Sequence, residues 1–279
     1  MSIPTIDLGE GPAAIAGDVG RACERVGFFT VVGHGVARAL IDDVAGQSRR
    51  FFDLPEGEKD RFTGPAAGAG LPVYRPLGAE RLGGGGDRKA SLDWGPSLAG
   101  AGWPDAGLRA AYERYYGELL RVADVLVRTF ALAIGLAGDG LAGFFDDRSS
   151  SMRVIDYPAG GGSGERAAAH RDYGCLTIIH SDAGGLEAQT RDGEWLPVEA
   201  DAGALVVNIG DLMQRWTGDR WVSTLHRVVG EDDAPRRQSL VFFHNPRSDA
   251  LITTLGGGTR YEPVTAGEYV LERAAAAGL

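Results

Sequence analysis

Five short segments rich in β-forming residues follow one another between residues 152 and 244, and they limit the possible folds more than any other feature. Val, Ile, Leu, Phe and Thr are frequent in these segments, and turn signals such as Arg191-Asp192-Gly193 separate them. Short strands at this spacing are typical of a sandwich or a double-sheet barrel. We therefore predict a β core from residues 152–157, 174–180, 205–209, 222–229 and 239–244.

The part of the chain before this core has a different pattern. Apolar side chains recur every three or four residues from residue 108 until Gly135 and Gly138, which predicts a long amphipathic helix. The preceding stretch is rich in Gly, Pro and Ala and is too long for an ordinary connection, which favours a functional loop or a lid. We predict a single domain, 1–279, with these parts: a helical and strand-containing N-terminal part (1–62), a Gly-rich loop or lid (63–107), a long helix (108–137), the β core (150–246) and a C-terminal tail (247–279).

Charge and composition exclude several classes of protein. The chain has 38 acidic and 28 basic residues and a net charge of -10, so nothing attracts it to nucleic acid or to an anionic membrane. No apolar run approaches the roughly 20 residues of a membrane span. Residues 1–10 lack the pattern of a signal peptide, and two cysteines, Cys23 and Cys175, are typical of buried thiols in a reducing compartment. We expect a cytoplasmic monomer or weak oligomer without nucleic-acid or membrane partners.

Few residues are available to build a metal site, because the chain has only five histidines. His170 and Asp172 lie two positions apart, which places both side chains on one face of a strand. His226 lies 54 positions after Asp172, in another segment with a strand pattern. Two imidazoles and one carboxylate on one side of a metal are the arrangement of non-haem Fe(II) oxygenases. A His-x-Asp tripeptide also recurs by chance, so the pattern alone leaves a structural role open.

Arg237 and Ser239 open the next apolar strand and share one of its faces. A guanidinium fork beside a hydroxyl suits a buried carboxylate. An arginine at the start of a strand is more often a solvated charge, and that alternative stays open at this point.

An ordered series of motifs resembles the isopenicillin N synthase-like family of Fe(II)/2-oxoglutarate-dependent oxygenases over nearly the whole chain. The motifs occupy residues 3–7, 27–35, 51–55, 157–158, 170–177, 185–186, 192–195, 208–211, 226–228, 237–239 and 245–246. The resemblance implies a mainly β fold with flanking helices, in which a double-stranded β-helix (jelly-roll) core follows a helical N-terminal part. It also implies Fe(II) held by His170, Asp172 and His226. The distal carboxylate of the cosubstrate 2-oxoglutarate is then held by Arg237, Ser239 and Tyr157.

The reaction implied by the resemblance is the oxidation of a small-molecule metabolite by O2, with formation of succinate and CO2. Hydroxylation, desaturation and cyclisation are all compatible with it, and a role in secondary metabolism is expected. Two alternatives remain: an iron oxidase of the same fold that does not use 2-oxoglutarate, and a metal-binding barrel without activity. The chain departs from many relatives at Ile155, where they carry Asn, and at Arg171, where Thr is commoner.

Strand alternation predicts the residues that face the substrate. Arg153 and Ile155 share the face of Tyr157, while Phe243 and Asn245 share the face of Ser239. We expect Arg153 to bind an oxygen of the substrate, although a structural salt bridge to one of the acidic residues is the alternative. The Gly-rich stretch is expected to cover the site, where Tyr74 would contact an aromatic or polycyclic substrate, although a surface or packing role is the alternative. His34, in a Gly-His-Gly turn, and His244, on the opposite face of its strand, are predicted to be structural.

Overall fold

Two β-sheets form the centre of the fold in the computed structural model, which describes residues 2–63, 68–80, 87–160, 163–201, 203–255 and 260–276. The strands, in chain order, are β1 (Thr5–Asp7), β2 (Phe28–Val32), β3 (Gly68–Ala69), β4 (Val73–Arg75), β5 (Ala90–Trp94), β6 (Ala99–Gly100), β7 (Ser151–Tyr157), β8 (Gly164–His170), β9 (Leu176–Ser181), β10 (Leu186–Gln189), β11 (Trp195–Pro197), β12 (Leu205–Ile209), β13 (His226–Gly230), β14 (Arg237–His244), β15 (Leu251–Ile252) and β16 (Val264–Thr265). The larger sheet has the order β1-β2-β12-β9-β14-β7-β5-β4, and the smaller has the order β11-β10-β13-β8.

Helices cover one face of the larger sheet. They are α1 (Pro12–Arg25), α2 (Arg38–Phe52), α3 (Glu56–Lys59), α4 (Ala106–Ala133), α5 (Asp211–Trp216) and α6 (Ala266–Ala276), with single 3-10 turns at residues 8–10, 60–62 and 142–144. The long helix α4 begins where Asp105 accepts a hydrogen bond from the backbone N–H of Leu108, at 2.9 Å. Among the described residues, no helix is long and apolar enough to cross a membrane.

Strand alternation divides the core into two clusters, and this division positions the site. Along β7 and β14, Val154 and Phe242 pack against the helices, whereas Ile155, Tyr157 and Val241 face the smaller sheet. The space between the two sheets is therefore lined by every second residue of the central strands. This arrangement confirms the predicted mainly β fold with flanking helices and a jelly-roll core.

Several predicted boundaries differ from the structure. Strand β13 begins at His226 rather than at residue 222, because Ser223 and Thr224 form hydrogen bonds outside the sheet, to Gln214 and to the carbonyl of Val26. Parts of the predicted loop or lid, residues 73–75 and 90–94, are strands of the larger sheet, while its residues 64–67 and 81–86 lie outside the described ranges. The predicted C-terminal tail contains a two-stranded sheet and α6. Cys23 and Cys175 are both free and buried.

Candidate active site

The pairing of β8 with β13 brings two of the predicted metal ligands together. His170 and His226 are direct partners in this antiparallel pair, and their ring centroids lie 4.3 Å apart. Asp172 follows two residues after His170, and one ligand atom from each of the three residues lies within 4.8 Å of the others. The backbone N–H of Asp211 donates to the carbonyl of Asp172 at 2.8 Å and so fixes the loop that carries the carboxylate. The three residues could therefore hold one metal ion.

Hydrogen bonds leave one free ligand atom on each of these side chains. Nδ1 of His170 donates to the carbonyl of Ala168 at 2.8 Å, and Nδ1 of His226 donates to the carbonyl of Thr224 at 3.0 Å. In the neutral form of each imidazole, Nε2 is therefore the nitrogen without a proton, and its lone pair is free for a metal. In Asp172, Oδ2 accepts hydrogen bonds, so Oδ1 is the oxygen that is free for a metal. This Oδ1 lies 3.8 Å from Nε2 of His226.

Two residues hold the carboxylate of Asp172 in place. The hydroxyl of Thr177 and the amide of Asn208 each donate to Oδ2 of Asp172, both at 2.6 Å. Thr177 and Asn208 are partners in the β9–β12 pair, so their side chains reach the carboxylate side by side. Both positions belong to motifs of the resemblance, but the sequence did not assign them a role, because their function depends on this pairing.

Burial and local charge place the ligands in the ionisation states that a divalent cation needs. Burial lowers the pKa of His170 far below its usual value, and neighbouring His226 lowers it further. Burial by itself would raise the pKa of Asp172, but the two histidines and the hydrogen bonds from Asn208 and Thr177 outweigh it and lower that pKa. At neutral pH, His170 is therefore neutral and Asp172 is ionised, as metal ligands must be.

Arg237, Ser239 and Tyr157 meet at another point of the same inner surface. Arg237 faces Tyr157 in the β14–β7 pair, with its guanidinium carbon 4.9 Å from the centre of the ring. Its Nη1 donates to Oγ of Ser239 at 2.6 Å and its Nη2 to Oγ of Ser181 at 2.8 Å. Arg237 is 2% exposed, and no carboxylate of a described residue forms an ion pair with it. A cavity of about 840 Å³ reaches this arginine and is lined in part by Leu186.

The structure places Arg153 on the inner face, as predicted, but in an ion-pair network. Its Nε and Nη2 donate to the two oxygens of Asp93, both at 2.7 Å, and Nη1 lies 2.9 Å from Glu80. These contacts are those of a structural salt bridge, which was the alternative to substrate binding for Arg153. Asp93 stands directly opposite Arg153 in the β5–β7 pair, within a stretch for which the sequence predicted a loop or lid rather than strands.

The other predicted substrate residues fall into different surroundings. Ile155 belongs to the apolar cluster between the sheets, and Phe243 is partly buried against that cluster. Asn245 lies beside the loop after Asp172, where a Cβ on Gly174 would come 1.9 Å from its Oδ1. Tyr74 does not lie at the substrate site as expected. Its ring packs edge-on against that of Phe51, with the ring centroids 5.4 Å apart, on the helix-facing side of the sheet.

The two histidines predicted to be structural, His34 and His244, lie outside the cluster that could hold a metal. His34 donates from Nε2 to the carbonyl of Gly203 at 2.7 Å, and its Nδ1 accepts from the backbone N–H of Val36 at 3.1 Å. His244 is buried on the helix-facing side, stacked on Phe145 with ring centroids 4.7 Å apart. Both arrangements are those of structural histidines.

Known proteins resemble this chain in sequence and in fold. The chain matches the family model described as non-haem dioxygenase in morphine synthesis N-terminal over residues 3–113, and that of the 2OG-Fe(II) oxygenase superfamily over residues 149–246. It is 35% identical to gibberellin 20 oxidase 1 of Oryza sativa subsp. japonica, over 90% of this chain and 73% of that protein.

Solved structures agree with these matches. A full-length Neurospora crassa protein, in complex with alpha-KG (2-oxoglutarate) and thymine, superposes with a TM-score of 0.87 at 24% identity and covers 98% of this chain and 96% of its own. JOX2, in complex with 2OG, Fe and JA, superposes with a TM-score of 0.82 at 28% identity and covers 98% of this chain and 85% of its own. The His-Asp-His cluster, the jelly-roll core and the family matches agree, and the chain therefore belongs to the 2-oxoglutarate-Fe(II) oxygenase superfamily.

Proposed function

We propose that Fe(II) is held by His170, Asp172 and His226 at one end of the space between the sheets. The donor set supports this assignment, since two imidazole nitrogens and one carboxylate oxygen lie close together without a hydrogen-bond partner among the described residues. These ligands occupy one side of the metal, which leaves positions for a cosubstrate and O2. When Fe(II) and 2-oxoglutarate are bound, the metal would allow O2 to oxidise 2-oxoglutarate to succinate and CO2 and to oxidise the substrate.

We further propose that Arg237 binds the distal carboxylate of 2-oxoglutarate, assisted by Ser239 and Tyr157. The observation that carries this proposal is the buried guanidinium of Arg237, which has no carboxylate partner among the described residues. A buried charge without a counter-charge is costly, so the site is arranged for an anionic ligand. Ser181 and Ser239 orient the guanidinium, and a cavity lined in part by Leu186 reaches it.

The substrate is proposed to be a small-molecule metabolite that contacts the inner wall formed by β5, β7 and β14. This wall combines apolar side chains, Ile155 and Phe243, with the charge-balanced pair of Arg153 and Asp93. Because Asp93 already neutralises Arg153, the wall presents hydrogen-bonding groups without a net cation, which favours a neutral polar molecule over an anion. We also propose that the enzyme acts in the cytoplasm, in secondary metabolism, as a monomer or weak oligomer.

Iron binding and succinate formation test the assignment together. We expect Fe(II)-loaded protein to convert 2-oxoglutarate to succinate in the presence of O2, measured by chromatography with and without candidate substrates. His226→Ala should lose most bound iron and all succinate formation, because one of three ligands is gone. His34→Ala is the matched control and should keep both, since His34 lies outside the cluster. Stoichiometric iron and full succinate formation in His226→Ala would contradict the proposal.

A further inference from the structure

A second arginine is buried close to Arg237 and has no role in the site described so far. Arg166, on β8, is 4% exposed. Like Arg237, it forms no ion pair with any residue that the structure describes. The residues outside the described ranges include no Asp or Glu. Two guanidinium groups are thus buried in one region without a side-chain carboxylate to balance either of them.

Both guanidinium groups approach the same ring. The guanidinium carbon of Arg166 lies 5.4 Å from the centre of the Tyr157 ring, and that of Arg237 lies 4.9 Å from it. Burial lowers the pKa of Arg166, and the nearby positive charge of Arg237 lowers it further. The two cations therefore repel each other, and an anion bound close to both would relieve that repulsion.

The backbone of β8 is shaped to place Arg166 there. Pairing with β13 passes from Val228–Ala167 directly to Val229–Glu165, so Arg166 is left without a partner and forms a bulge. Bulges of this kind redirect a side chain at a barrel rim or beside a site. Opposite the bulge, a Cβ on Gly230 would come 2.6 Å from Cδ of Arg166, so glycine leaves the space that this side chain fills.

Neutral groups hold Arg166 without cancelling its charge. Its Nη1 donates to the carbonyl of Pro235 at 3.1 Å, and its Nη2 donates to the carbonyl of Pro158. Pro158 directly follows Tyr157, and Pro235 lies two residues before Arg237. These hydrogen bonds connect the side chain to the two segments that carry the proposed carboxylate pocket. Carbonyl groups orient a guanidinium, but only an anion balances it.

We propose that Arg166 is a second cation of the distal carboxylate pocket, where it acts with Arg237 to select 2-oxo acids that carry a second carboxylate. The inference rests on the proposed function, because it takes Arg237 as the primary partner of that carboxylate. It assigns Arg166 to cosubstrate selectivity. A purely structural role, tying the segments around Pro158 and Pro235 together, is the alternative that an experiment has to separate from it.

Binding measured without turnover separates the two roles. We would titrate Mn(II)-loaded protein with 2-oxoglutarate and with 2-oxopentanoate, which lacks the distal carboxylate, by isothermal titration calorimetry. Arg166→Gln should raise the Kd of 2-oxoglutarate by about tenfold, the size expected for a lost interaction with a charged group. The Kd of 2-oxopentanoate should stay within about twofold, because the variant leaves its contacts intact. Arg166→Lys, which keeps the charge, should retain most of the affinity for 2-oxoglutarate.

Gly230→Ala provides a second variant that displaces Arg166 without removing its charge. This variant should also raise the Kd of 2-oxoglutarate more than the Kd of 2-oxopentanoate. Equal weakening of both 2-oxo acids, an unchanged Kd in Arg166→Gln, or a loss in Arg166→Lys as large as in Arg166→Gln would overturn the inference. Arg237→Gln in the same assay keeps the two proposals apart: if it too leaves 2-oxoglutarate binding unchanged, the proposed function fails, and not only the role of Arg166.

Discussion

Two groups of buried cations line the space between the sheets, and they differ in whether the protein itself balances them. The β5–β7 wall matches its cations with acids on neighbouring positions, in a network of Arg75, Arg153, Lys89, Asp93, Glu80 and Asp87. The pocket around Tyr157 holds Arg166 and Arg237, and neither forms an ion pair with an acid of the described residues. The same residue type thus serves the scaffold in one place and is available to a ligand in the other, and the presence of a carboxylate partner distinguishes the two.

This contrast predicts different responses to mutation. In the balanced wall, removing one partner leaves the remaining charges only partly compensated, and the folding stability falls. In the pocket, the unbalanced charge already exists in the free protein, so a substitution there should change ligand binding more than the free energy of unfolding.

The largest expected effect is on stability, from Asp93→Asn. This change removes the charge opposite Arg153 and Arg75 while keeping the shape of the side chain. We expect the free energy of unfolding to fall by about 3 kcal/mol, the low end of the cost of breaking a buried pair, because Arg153 and Arg75 keep some exposure. Urea unfolding measures it. Asp124→Asn, which breaks the exposed pair with Arg128, is the matched control and should cost only about 0.5 kcal/mol.

The same pair predicts a pH dependence. Burial by itself would raise the pKa of Asp93, but Arg153 and Arg75 outweigh it and hold that pKa below its usual value. A carboxylate whose pKa is lower in the folded state stabilises the fold above its unfolded pKa, and this contribution is lost as the pH falls through the lowered value. The difference in stability between the wild type and Asp93→Asn should therefore shrink in acid. A difference that stays constant down to acidic pH would show that folding does not lower the pKa of Asp93.

The metal ligands could be predicted from the sequence because their spacing carries the information. His170 and Asp172 are two apart, and the position of His226 in the ordered motifs identifies it as the third ligand. Arg237 and Ser239 follow from strand alternation in the same way. In both pairs, the spacing placed the two side chains on one face, and the ordered motifs of the resemblance supplied His226 and the role of each residue.

The charge network and Arg166 could not be predicted in this way. Asp93 and Glu80 lie in a Gly-rich stretch without a clear period, so their pairing with Arg153 depends on strand contacts that the sequence does not reveal. Tyr74 was expected at the substrate site and instead packs on the helix-facing side of the sheet, a position that depends on the same strand contacts. Strand β8 has the sequence Gly-Glu-Arg-Ala-Ala-Ala-His, which lacks β-branched residues, and its bulge breaks the alternation that would otherwise orient Arg166.

A smaller effect is expected from Arg153→Gln. Asp93 keeps Arg75 as a partner and Glu80 keeps Lys89, so the loss should be about 2 kcal/mol, less than for Asp93→Asn. The Kd of 2-oxoglutarate should not change, because Arg153 makes no contact with Arg237 or its serines. Chemical unfolding and calorimetric titration of the same preparation measure both quantities. Unchanged stability with weakened 2-oxoglutarate binding would reverse the roles assigned to the two regions.

The smallest expected effect distinguishes two hydroxyl groups that hold the same arginine. Ser239 accepts from Nη1 of Arg237 and Ser181 accepts from Nη2, and the two hydroxyl oxygens lie 3.0 Å apart. If Ser239 also contacts the carboxylate, as proposed, Ser239→Ala should weaken the binding free energy of 2-oxoglutarate by about 0.5 to 1.5 kcal/mol, the range for one neutral hydrogen bond. Ser181→Ala should cost less, because it loses only the orientation of Arg237. Titration calorimetry of the two variants makes the comparison, and equal losses would mean that Ser239 acts on the cosubstrate only through Arg237.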